Sequence, residues 1–184
     1  MITLPMGGPS ELEGTGFLFN LSVLALTFAA VSALVMLVRQ ALGGKLSRFD
    51  IYLLRAFISF GFAVAIGAIL PPLLILFELQ RVLIWPIASV LVALMLAVIL
   101  VSVVTTRRRV TSGGVPLLVT VSYGLHALAV VLLIVNAAVP PIQGAGLYAT
   151  GLTLCLANTM WAFVRRISSL AGDKPSDDWD PGRG

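Results

Sequence analysis

The residue best suited to chemistry in this sequence is His126, the single histidine among 184 residues. It follows about eleven residues of an uncharged apolar stretch, which corresponds to about 16 Å along a helix. An ionisable group at that depth in a bilayer is costly and usually faces other helices or water. Thr27, Ser59 and Thr153 fall at comparable depths in other apolar stretches. We therefore expect a polar membrane site of these four residues, in which His126 is either a hydrogen-bonded structural residue or a ligand contact.

A second candidate site consists of Arg55 and Tyr52, about one helical turn inside another apolar stretch. A guanidinium group at that depth usually reaches back to the lipid headgroups. The alternative is a contact for an anion or an anionic lipid headgroup, shared with Tyr52. Asp50 lies five residues before Arg55 and hence on a different helical face, so we expect no ion pair between them.

Several classes of protein are disfavoured by what the apolar stretches lack. They contain no Asp or Glu for a proton relay, and the chain has no HExxH, Walker or dinucleotide-binding motif. With one histidine, haem binding would need Met95, Met160 or His126 of a second copy as the other ligand. The single Cys155 can form no disulfide within the chain. The sequence therefore predicts a non-catalytic protein without metal or cofactor.

The elements that must position these residues are long apolar runs, each near or above the ~20 residues needed to span a bilayer. With 59% hydrophobic and 11% charged residues, a membrane domain accounts for nearly the whole chain. We predict an all-α fold, a bundle of five transmembrane helices. They are placed at 17–38, 51–77, 82–104, 115–139 and 147–164. Residues 1–16 are expected to be a flexible arm, and the acidic residues 168–184 a disordered tail with a possible docking contact at Trp179.

Orientation is indicated by the basic residues, which fall almost entirely on every second break between the apolar runs. Since short loops rich in Lys and Arg stay in the cytoplasm, we predict an outer amino terminus and an inner carboxyl terminus, with Arg81 outside. The net charge of +4 is confined to helix ends, where it favours anionic lipid headgroups over nucleic acid. The predicted location is the plasma membrane, most simply a bacterial inner membrane.

Two proline pairs shape the predicted helices. Pro71 and Pro72 follow a stretch that already spans the membrane, so we expect a bend or break there. Pro140 and Pro141 precede Gln143 and several glycines, which predicts the end of the fourth helix.

The second and fourth predicted helices also show a weak internal repeat. Tyr52-Leu53-Leu54-Arg55 resembles Tyr123-Gly124-Leu125-His126, and both helices run to a proline pair. Two similar hairpins after a lone first helix would be a parallel duplication, although apolar sequences also produce such matches by chance.

Small residues at four-residue spacing mark helix faces that can approach closely. They are Ala25, Ala29 and Ala33 in the first helix, Gly61 and Ala65 in the second, and Gly151, Cys155 and Thr159 in the fifth. Such faces serve packing within one bundle or association with other subunits. Asn136 and Asn158 are expected to form hydrogen bonds between helices.

The first functional hypothesis is a small non-catalytic subunit or scaffold that contacts other membrane proteins or a second copy of itself. The alternative is a small oligomeric transporter or channel-like protein with its site near His126. A redox or quinone-handling subunit that uses His126 is a third possibility.

Overall fold

Five helices form the bundle in the computed structural model, which describes residues 14–41, 47–110 and 117–172. The helices are α1 (Thr15–Ala41), α2 (Arg48–Leu76), α3 (Arg81–Val110), α4 (Leu117–Ala138) and α5 (Ala145–Gly172), with a 3-10 turn at Pro140–Ile142 between α4 and α5. All five are long and apolar enough to cross a membrane. In lipid a helix satisfies its own backbone hydrogen bonds, which is why apolar runs of this length become helices.

Two helices extend beyond their predicted ends. α1 begins at Thr15, inside the predicted arm, and α5 continues to Gly172, inside the predicted tail. Helix formation there continues the hydrogen-bonded ladder from the adjoining apolar segment. The remaining arm residues, 1–13, and tail residues, 173–184, lie outside the described part of the chain.

The helices α2, α3, α4 and α5 form a closed ring, because each packs against the next and α5 returns to α2. α1 packs on the outside of this ring, against α2 and α5. We call the end where α1, α3 and α5 finish the basic end. Among the described residues it carries eight arginines and a single carboxylate, Asp50.

Close packing between α1 and α2 depends on the small residues that the sequence singled out. A Cβ atom at Gly61 would lie 3.1 Å from Ala29 Cβ and 3.3 Å from the Ala25 carbonyl oxygen. Likewise, a Cβ atom at Gly151 would lie 3.4 Å from the Ala129 carbonyl oxygen of α4. These small-residue faces therefore serve packing within the bundle.

Helix α2 does not break at its proline pair. It continues through Pro71 and Pro72 to Leu76, so of the predicted bend or break the break is wrong, and the bend stays a prediction. Pro71 lacks the N–H that would bond to the Gly67 carbonyl four residues earlier. The Tyr148 hydroxyl of α5 donates to that carbonyl at 2.6 Å and replaces the missing donor. By contrast, α4 ends at Ala138 just before Pro140, as predicted.

We predict that Tyr148→Phe lowers the free energy of unfolding by about 1 kcal/mol, because it leaves the buried Gly67 carbonyl without this donor. In a Pro71→Ala background the loss of unfolding free energy caused by Tyr148→Phe should fall to less than half, since residue 71 then supplies an N–H. Pro72→Ala is the matched control and should leave the cost of Tyr148→Phe unchanged. Unfolding in mixed micelles titrated with dodecyl sulfate measures all of these variants. An equal cost of Tyr148→Phe with and without the Pro71→Ala substitution would contradict the explanation.

Candidate functional site

His126 lies near the middle of α4, and its ring is buried between α2 and α5. Its Nε2 atom is 3.1 Å from Thr159 Oγ1, and its Nδ1 atom is 2.9 Å from the Ser122 carbonyl oxygen and 2.7 Å from Asn158 Nδ2. The Phe60 ring of α2 lies over it with a centroid separation of 4.0 Å. The histidine is thus held by residues from three helices.

The two contacts at Nδ1 favour opposite tautomers of the ring. The Ser122 carbonyl can only accept and would bond a proton on Nδ1, whereas Asn158 Nδ2 can only donate and requires Nδ1 to accept. The contact from Asn158 is the shorter, 2.7 Å against 2.9 Å, and favours the proton on Nε2. Nε2–H then donates to Thr159, whose hydroxyl donates to the Cys155 carbonyl at 2.7 Å. The second Asn158 hydrogen reaches the Ser122 carbonyl at 2.9 Å. Asn158 Oδ1 is buried and accepts no hydrogen bond from any described residue.

None of the three residues expected beside His126 forms a hydrogen bond with its ring. The Thr27 hydroxyl is exposed and donates to the Val23 carbonyl of its own helix. Thr153 lies on the exposed face of α5, and Ser59 lines a separate groove between α2 and α3. His126 lies near the middle of its helix, but position along a helix does not determine which way each helix face turns.

Asn158 and Thr159 replace the three predicted partners. The sequence indicated both residues for a different reason, Asn158 as an interhelical hydrogen bond and Thr159 as part of a small-residue face. Asn136 likewise bonds between helices, donating to Ser89 of α3 at 2.8 Å.

His126 lines a cavity of about 370 Å³ inside the ring of α2, α3, α4 and α5. We call it the His126 cavity. Its walls are mostly apolar and aromatic, and its polar atoms lie at two levels. Ser122, His126 and Thr159 line the middle of the bundle, whereas Arg107, Arg165 and Arg166 line the basic end. Its volume is within the usual range for small-molecule sites, about 300–1,000 Å³.

A tyrosine pair crosses the cavity between these levels. The Tyr52 hydroxyl donates to the Val103 carbonyl at 3.0 Å, so its oxygen accepts the hydrogen of Tyr123, also at 3.0 Å. The pair links α2 to α4, as does the contact between Phe60 and His126. Tyr52 and Tyr123 are the corresponding residues of the weak sequence repeat. Arg55 and His126, the next aligned pair with polar side chains in the repeat, differ in their surroundings. Arg55 is exposed and His126 is buried.

Asp50 is the charged residue whose role the sequence reasoning missed. It lies inside α2, and its side chain is only 3% exposed. Its carboxylate accepts from Arg166 at 2.6 Å and from Arg39 at 3.3 Å. It also forms a capping box with Ser47, in which each side chain bonds the other residue's backbone N–H. The Ser-x-x-Asp pattern before an apolar run was the available signal.

Arg107 is the second residue whose role was missed. The sequence counted it only as a cytoplasmic charge, yet it is buried, with 7% exposure, and lines the cavity. None of the described acidic side chains forms an ion pair with it; Asp50 is bonded to Arg39 and Arg166 instead. Its neighbour Arg108 is exposed and lies outside the cavity lining.

Arg55 and Tyr52, the second predicted site, line the same groove between α2 and α3. The Tyr52 hydroxyl is bonded to Val103, so it is not the group that would meet an anion beside Arg55. The available hydroxyls of the groove are those of Ser59, Ser102 and Thr106.

Among the described residues, no three His, Cys, Asp or Glu side chains lie close enough together to hold a metal ion. No family model, curated protein or solved structure matches this chain. Function must therefore be inferred from the residues of the cavity and the groove.

We predict that nitrogen-15 NMR of the ring, unambiguous because the chain has one histidine, finds the proton on Nε2. In Asn158→Leu the donor to Nδ1 is removed, so the proton should move to Nδ1 and bond the Ser122 carbonyl. Ala157→Leu, at the exposed neighbouring position, is the control and should leave the tautomer unchanged. A proton on Nδ1 in the unmodified protein would contradict this hydrogen-bond scheme.

Proposed function

We propose that this protein binds a small amphipathic anion in the His126 cavity and acts as a non-catalytic membrane carrier or binding protein. The ligand class is an aromatic or other apolar body with one acidic group. The observation that carries the proposal is Arg107, a buried cation in a mostly apolar cavity without an acidic partner among the described residues. Buried charges in proteins are normally paired, and the described residues supply no acidic partner, so we propose that the partner is an anion from outside the chain.

The charge around the mouth supports the same ligand class. Arg107, Arg165 and Arg166 line the cavity at the basic end, and the one carboxylate described there, Asp50, is shared by two arginines. Among the described residues the local charge is therefore positive even after Asp50 is counted. A cleft with charge of one sign and low-dielectric walls concentrates ions of the opposite sign.

The walls of the cavity support an apolar, flat body for the ligand. Phe49, Phe57, Phe60, Tyr123 and Trp161 contribute aromatic surface. Aromatic side chains favour offset or edge contacts with other rings. The acidic group would then pair with Arg107, and the body would extend towards His126.

The polar residues at the middle of the bundle supply a second recognition point. Ser122, His126 and Thr159 line the cavity at this level. A hydroxyl or amine on the far end of the ligand would find hydrogen-bonding side chains there. A ligand longer than the distance from Arg107 to His126 would not fit this scheme.

The subunit or scaffold hypothesis has less support from the geometry. It relied on small-residue faces, and those of Gly61 and Gly151 pack against other helices of the same chain. It stays a prediction, as does oligomerisation. We further propose that the basic end faces the cytoplasm of a plasma membrane, so that the cavity opens to the inner side.

We predict that full-length protein in phosphatidylcholine nanodiscs binds naphthalene-2-sulfonate more tightly than methanesulfonate, which lacks the apolar body. Arg107→Gln should weaken naphthalene-2-sulfonate binding about tenfold or more, because it removes a charge-assisted contact. It should leave the affinity for uncharged 2-methylnaphthalene unchanged. Titration calorimetry, with empty nanodiscs subtracted, measures each affinity.

Arg108→Gln is the matched control, since it removes the same charge one residue away and outside the cavity. Its effect should be less than twofold. Equal losses in the Arg107 and Arg108 variants would assign the effect to general surface charge, and the proposal would be wrong. Absence of binding by the unmodified protein would also overturn it.

A further inference from the structure

A second basic site lies outside the ring of helices, in a groove of about 440 Å³ between α2 and α3. We call it the α2–α3 groove. It shares the wall residues Tyr52, Ala56 and Val103 with the His126 cavity but has different arginines. Arg48 and Arg55 lie along one side of α2, seven residues or about 10 Å apart. Because seven residues are almost two full turns, both side chains leave the helix on nearly the same face.

These two arginines have no counter-ion among the described residues. Both are exposed, and no ion pair or hydrogen bond joins either guanidinium to an acidic side chain of that part of the chain. Asp50 is only two residues from Arg48, but it lies about 200° around the helix and faces α1 and α5. Its oxygens are already bonded to Arg39 and Arg166.

The remaining lining of the groove changes from polar to apolar along its length. At the basic end Thr106 and Ser102 of α3 contribute hydroxyls beside the arginines. Further into the bundle Val98 and Ile99 form an apolar wall. Arginine forks and hydroxyl donors together match the oxygens of a phosphodiester, and the apolar wall matches a hydrocarbon chain.

We infer that the α2–α3 groove is a binding site for one anionic phospholipid. The phosphate is held by Arg48 and Arg55, with Ser102 and Thr106 as hydroxyl donors, and an acyl chain lies against Val98 and Ile99. A phospholipid fits better than free phosphate because the groove is on the outer side of the bundle, where Ile51 and Val98 are exposed. This inference does not depend on a ligand in the His126 cavity.

The experiment is native mass spectrometry of the full-length protein released from neutral detergent with added lipid. The probes are phosphatidylglycerol, phosphatidylcholine of the same chain length, and inorganic phosphate as a competitor. The unmodified protein should retain one phosphatidylglycerol in preference to phosphatidylcholine. Arg48→Gln with Arg55→Gln should reduce phosphatidylglycerol binding about tenfold or more, and should reduce phosphatidylcholine binding much less, because the choline cation already neutralises that phosphate.

Two further variants make the result specific. Arg108→Gln with Arg109→Gln removes the same charge from the same end of the bundle, outside the groove, and should change binding less than twofold. Arg55→Lys keeps the charge without the guanidinium fork and should give an intermediate loss. Unchanged circular dichroism establishes that each variant is folded. Equal loss in the two double variants, or displacement of the lipid by millimolar phosphate, would overturn the inference.

Discussion

The bundle depends on one buried carboxylate. Asp50 caps α2 through Ser47 and pairs with Arg39 of α1 and Arg166 of α5, so a single side chain joins the ends of three helices. One layer deeper, Phe28, Phe57 and Phe163 from the same helices pack edge to face, with two centroid separations of 5.4 Å. The arginines retain partial exposure, 35% and 27%, which reduces the cost of burying them. Through this cluster α1 and α2 are fixed against α5, which also forms a wall of the His126 cavity.

The pairing of Asp50 leaves other arginines of the basic end without an acidic partner among the described residues. Asp50 is the only acidic residue described at the basic end, and two arginines occupy its oxygens. Arg107 inside the ring and Arg48 and Arg55 outside it then have no anion among the described residues. An unpaired guanidinium at the edge of a membrane is costly unless water, a headgroup or a ligand solvates it. Both proposals, an amphipathic anion in the cavity and a phospholipid in the groove, follow from this imbalance of charge.

Hydropathy and helix-breaking residues were sufficient to predict five helices and the end of α4 at Pro140. The break at Pro71 was predicted wrongly because the hydrogen bond that replaces the missing one comes from Tyr148, 77 residues away and on another helix. His126 could be identified by its type and depth, whereas its partners could not, because rotation of α5 about its axis decides that Asn158 and Thr159 face it. Arg107 and Arg108 are indistinguishable in sequence, and only packing separates the buried residue from the exposed one.

Arg107 is a buried cation with no acidic partner among the described residues, and the proposed anion site depends on it. The most direct test is the free energy of unfolding of ligand-free Arg107→Met, measured in neutral mixed micelles against the unmodified protein. An apolar side chain of similar size removes the uncompensated charge and keeps the packing. We therefore expect the variant to be more stable, by about 1 kcal/mol or more. A variant less stable by that amount would show that Arg107 already has a stabilising partner within the chain, and would contradict the account.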